Sequence, residues 1–168
     1  GILCATLVLT AAARAQNVAP APPTVDPHAV YEKSCNGCHH EHGADLARLK
    51  MKLVGQRVLV NRTGKDVTAL LRNHHGVKLA EPDAAALVSL FRNGITWGGV
   101  FQARCAQCHG RAAPFAREKL SLDGGTLKSR ASGKDVGAFL GSHGNATPDE
   151  IAVLLEMLKW QLATAPAR

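Results

Sequence analysis

Aromatic side chains make up only 4% of this 168-residue chain. So few large rings leave little with which to fill a core, and raise the question of whether a non-protein group supplies the bulk. Methionine is scarce too, with Met51 and Met157 alone. The apolar run ILCATLVLTAAA (2–13) falls short of the roughly 20 residues that a membrane-spanning helix needs. Acidic residues are in deficit: 13 against 20 Lys and Arg, giving a net charge of +7 and a pI near 9.5. The basic residues are scattered, with few aromatics among them, which argues against nucleic acid as a partner. The charge suits an acidic protein or a membrane surface instead. A content of 46% hydrophobic and 20% charged residues is ordinary for a globular chain.

The run 2–13 leads into Ala13-Arg14-Ala15, a small-x-small cleavage pattern. Residues 1–15 therefore read as a signal peptide truncated at its start, since Gly1 is preceded by neither Met nor a basic stretch. An uncleaved anchor is the alternative. Cys4 is expected to leave with the signal. Residues 16–27, rich in Pro and Ala, read as an extended lead-in.

The other four cysteines form two CxxC pairs, Cys35/Cys38 and Cys105/Cys108, each followed at once by a histidine, His39 or His109. The copies lie 70 residues apart, and Tyr31 and Phe101 each stand four residues before the first cysteine. TGKDVTALLRNH (63–74) and SGKDVGAFLGSH (132–143) are identical in seven of twelve columns, and LARLKMKLVG (46–55) matches FAREKLSLDG (115–124). One unit has been duplicated. Unit one is expected at 28–95 and unit two at 96–165, joined through RNGITWGG (92–99).

Each unit predicts the same elements in the same order. A short helix carries the CxxCH. Alternating apolar residues around glycine predict a β-hairpin. KDVTALLRNH and KDVGAFLGSH predict helices. PDAAALVSLFRNG and PDEIAVLLEMLKWQL predict amphipathic helices that open on Pro and acidic residues. Ala84, Leu87, Val88 and Phe91 share one face, as do Ile151, Leu154, Leu155 and Leu158. The expected fold is mainly α, with two tandem small domains that each carry a short hairpin.

Three chemistries compete for the cysteines. Zinc ribbons place about 15–20 residues between CxxC pairs, whereas 66 separate Cys38 from Cys105. A thioredoxin-like pair needs a βαβ setting, which is absent. Disulfides suit an exported protein but leave the two histidines unexplained. Covalent haem attachment accounts for all six residues. Two thiols on one turn add to the two vinyl groups at one porphyrin edge, and the next histidine lies under the iron. A unit of about 70 residues builds only a small core, and a haem would complete it.

On these motifs the chain resembles a small periplasmic dihaem cytochrome c built of two tandem cytochrome c-like units. The resemblance spans about 28–165, and its specific part is Cys35, Cys38 and His39 with Cys105, Cys108 and His109. It implies two covalently bound haem c groups, with His39 and His109 as proximal iron ligands. The order of motif helix, distal ligand and last helix is similar to class I cytochromes c. Two features depart from that family: the hairpins, and the lack of a methionine before the last helix. Met51 and Met157 read as core fillers. The family's methionine position holds His74 and His75 in unit one and His143 in unit two, which implies bis-histidine irons. Helical phase favours His74 over the alternative His75, because Val67, Leu70 and His74 repeat as Val136, Phe139 and His143. His40 and His42 lack counterparts and are expected at the surface. His28 has no role in this reading.

Two six-coordinate haems leave no open iron position, so the expected function is periplasmic electron transfer, with no catalytic residues and no small-molecule substrate. The expected partners are redox proteins, acidic or membrane-associated. The alternatives are a haem enzyme or gas or redox sensor with one displaceable axial histidine, and an electron-transfer subunit of a larger oxidoreductase.

Overall fold

The computed structural model describes residues 25–39 and 41–164. The expected signal peptide, Cys4, most of the lead-in and His40 lie outside them. The fold is mainly helical with two small hairpin sheets.

The first repeat opens with α1 (Pro27–Ser34) and α2 (Gly43–Lys50). The hairpin β1 (Met51–Val54) and β2 (Arg57–Val60) follows, then α3 (Val67–Leu71) and α4 (Glu81–Thr96). The second repeat has α5 (Val100–Arg104), α6 (Ala106–His109) and α7 (Ala112–Lys119). Its hairpin is β3 (Leu120–Asp123) with β4 (Thr126–Ser129), followed by α8 (Val136–Leu140) and α9 (Pro148–Ala163).

Local chemistry places the ends of these elements. Asp66 and Asp135 cap α3 and α8 through their carboxylates. Thr147 and Glu150 form a capping box around Pro148 at the start of α9. The hairpins pair Met51 with Val60 and Leu120 with Ser129, the same register 69 residues apart. Gly124 and Gly125, at φ of +54° and +79°, make the second turn, which demands left-handed backbone at both positions.

Each repeat builds its own apolar cluster from matching columns. Tyr31, Val58, Val67, Leu71 and Leu87 are buried in one. Phe101, Leu127, Val136, Leu140 and Leu154 are buried in the other. Met157 is buried in the second cluster and Met51 packs against the first. Trp160 of α9 packs against both. Helices α2 and α4 cross so closely that a Cβ on Gly94 would lie 2.7 Å from the Ala44 backbone.

Three local expectations are corrected. Neither motif sits wholly on one helix: α1 stops at Ser34, and Cys35 leaves helical geometry at φ −124°. In the second repeat only the four-residue α6 carries motif residues. Helices α2 and α7 were not anticipated. Their sequences are polar overall, and only Gly43, Leu46 and Ala47 in α2, or Ala116 in α7, are buried. Within the expected junction, α4 runs two residues past Gly94 to Thr96, and the chain turns at Trp97–Gly99, where Gly98 and Gly99 adopt positive φ. Finally, α3 and α8 end at Leu71 and Leu140, ahead of the histidines. Val67 and Leu71, and their copies Val136 and Leu140, are the buried residues of these turns, whereas Leu70 is half-buried and Phe139 exposed.

Candidate metal centres

Both CxxCH stretches adopt one backbone. Cys35 and Cys105 have φ/ψ of −124°/−32° and −125°/−32°. The amide N–H of His39 donates to the Cys35 carbonyl at 2.9 Å, and His109 repeats this with Cys105 at 2.9 Å. Each histidine is thereby held at a fixed offset from its two thiols. Cys35, Cys38, Cys105 and Cys108 form no disulfide with one another. Burial pushes the Cys35 and Cys105 thiols up from their ordinary range, so they stay protonated at neutral pH.

The second histidine of each repeat comes from the turn beyond α3 or α8. The rings of His39 and His74 have centroids 6.0 Å apart, with planes 20° from parallel. Those of His109 and His143 are 6.1 Å apart at 56°. An iron bound by two imidazole nitrogens at about 2 Å each holds its ring centroids roughly 6 Å apart. Burial, followed by the neighbouring His75 and His39, lowers the pKa of His74. Its ring is therefore neutral at neutral pH and keeps a nitrogen lone pair for a metal.

His75 is exposed at φ +49°, beside Gly76 at +80°. The second repeat has left-handed backbone in the same columns, at Gly144 (+79°) and Asn145 (+51°). His75 thus stands where the second repeat has glycine, and His74 stands where it has His143.

In the second repeat a cleft of about 690 Å³ brings Cys105, Cys108, His109 and His143 together. That volume lies within the ~300–1,000 Å³ of pockets that bury small ligands. Phe101, Phe115, Leu120, Val136, Leu140 and Leu158 are among its apolar walls, and Arg104, Lys119 and Arg130 stand along it. Arg104 is held by Glu150 at 3.0 Å. Phe115 lies 4.5 Å from His109, and Phe139 lies 4.5 Å from His143 with planes 28° apart. Phe115 was not singled out from the sequence. Its signal was the column it shares with Leu46 in the repeat, one residue before a buried alanine in each copy.

The donor set fits a flat apolar group with a central iron. In each repeat the two thiols would attach such a group and the two histidines would hold its iron. Among the described residues, no three His, Cys, Asp or Glu side chains gather to hold a bare ion. No family model, no curated protein and no solved structure matches the chain.

Proposed function

We propose that this chain is an exported dihaem c-type cytochrome that passes electrons between redox proteins. The observation that carries the reading is the pairing of each CxxCH histidine with a second histidine at the separation a six-coordinate iron needs. On this reading Cys35, Cys38, Cys105 and Cys108 form the thioethers. His39 and His74 bind one iron, and His109 and His143 the other. The bound groups supply a reversible one-electron couple.

The residues of the chain set the conditions for that couple. The backbone bond from His39 to Cys35, and its copy at His109, fixes the proximal rings against the attachment points. The apolar side chains along the second cleft would pack against the faces of a bound group and lower the dielectric beside it. Of the basic residues along the second cleft, Arg104 is paired with Glu150 and Lys119 lies near Glu118, which also lines the cleft, so Arg130 is the one best placed to meet a carboxylate of a bound group. Export follows from the apolar run 2–13. Among the described residues, no helix is long and apolar enough to cross a membrane.

A second reading has one observation in its favour. His143 is solvent-exposed, unlike the half-buried His74. An exposed distal imidazole that gives way to a small ligand would make the second centre a sensor or enzyme site.

The mass of the chain purified from a host that matures c-type cytochromes decides the main reading. After denaturation the mass should exceed the polypeptide by two haems, with no thiol left to titrate at Cys35, Cys38, Cys105 or Cys108. A bare polypeptide mass with four free thiols overturns it.

A further inference from the structure

His28 and His42 take no part in either candidate centre, yet they meet. The His28 Nδ1 lies 3.1 Å from His42 Nε2, and His28 Nε2 lies 3.1 Å from Gln161 Oε1. The His42 Nδ1 accepts the Ala44 amide N–H at 3.3 Å and so caps α2. These contacts assign every proton. An Nδ1 that accepts from Ala44 leaves the His42 proton on Nε2, which donates to His28 Nδ1. The His28 proton then sits on Nε2 and donates to Gln161 Oε1. The relay has one direction, and it works only with both rings neutral.

The relay joins the two repeats. His28 stands on α1 and His42 at the start of α2, while Gln161 is a buried residue of α9. Beside it, Asp26 pairs with Arg117 of α7 at 3.0 Å. Arg117 also donates to the Thr164 carbonyl at 3.3 Å. The Trp160 ring meets His28 edge-on at 6.2 Å.

We propose that His28, His42 and Gln161 form an acid-sensitive clasp that holds the first repeat against the second at neutral pH and releases it on acidification. A proton added to His28 Nδ1 would face the His42 N–H. A proton added to His42 Nδ1 would face the Ala44 N–H and the positive end of α2. Either proton replaces a hydrogen bond with a repulsion.

The surrounding charges do not reverse this. Asp26 favours a charged His28, whereas His42 and Arg117 oppose it, and burial dominates, lowering its pKa from 6.5 to about 4. Around His42, whose ring is partly open to solvent, burial again leads the lowering. Asp45 and Glu32 act against it, and Arg111 and Arg48 act with it. The sign follows by linkage. The closed arrangement binds fewer protons than the open one, so it is fully favoured above pH 6.5. As pH falls below that value, each proton taken up on opening weakens closure by about tenfold per pH unit.

The clasp does not rest on the haem reading, and its test does not either. Small-angle scattering of the purified full chain is followed from neutral pH to about pH 4, with far-UV circular dichroism alongside. The radius of gyration should rise while helix content holds. Gln161→Glu offers a carboxylate to the His28 imidazolium and should move the expansion to lower pH. His28→Ala should be expanded already at neutral pH and lose the transition. A wild-type radius that stays constant, a Gln161→Glu profile that matches wild type, or expansion only together with loss of helix overturns the proposal.

Discussion

His39 and His74 face each other with ring centroids 6.0 Å apart, and His75, the next residue, has its ring 4.5 Å from that of His74 and lies exposed. His74→Ala should therefore leave one high-spin iron in the proposed dihaem protein, read from the ferric absorption spectrum. His75→Ala should leave the spectrum unchanged. The reverse pattern would move the ligand to His75.

His75 also carries a conformational cost, since a non-glycine residue at φ +49° is strained. The matching column of the second repeat holds Gly144 at φ +79°. His75→Gly should therefore keep or raise stability, by up to ~1 kcal/mol. Denaturant titration checks this, and a clear loss of stability would mean that the ring makes contacts of its own.

In the proposed dihaem protein, imidazole as sixth ligand would set the potential. A methionine ligand raises it, and a second imidazole does so less. Both centres should titrate below a His/Met cytochrome, without a sulfur-to-iron band in the ferric spectrum. That band would bring back Met51 or Met157, although Met157 is buried in the apolar cluster of the second repeat.

The ferrous protein should bind carbon monoxide slowly or not at all if both distal histidines hold. Should one centre bind it fast, the exposed His143 is the ring expected to yield. His143→Ala should then speed binding at one centre alone, as measured by flow mixing.

Gly94→Ala tests the crossing of α2 and α4. The added methyl would meet the Ala44 Cα at 2.7 Å, so backbone must move. Overpacking of this kind costs about 1–3 kcal/mol. A shift in the denaturation midpoint reads it, and an unchanged midpoint would place the helices further apart than described.

Much of the architecture was legible because it is written in short-range pattern and then written twice. The hairpins follow from alternation around Gly55 and Gly124, and α4 and α9 from Pro and acidic residues ahead of a periodic apolar face. Helices α2 and α7 escaped because eight mixed residues carry too little period. Only contact with their apolar cluster makes Leu46 and Ala116 interior. The same limit applied to the second histidine of each repeat. Helical phase pointed to His74, but α3 stops at Leu71, and a turn presents the ring instead.

The sequence by itself determined the duplicated unit, the thiol pairs with their following histidines, and the columns from which a second histidine comes. These are matters of spacing, and spacing survives without a fold. Helical phase already favoured His74 over His75; the tertiary structure alone decided that the His74 ring faces that of His39, and that His28 meets His42 and a glutamine 133 residues away. No local pattern encodes such contacts. They arise when separately formed helices bury their faces and bring distant polar groups within reach, where each must find a partner.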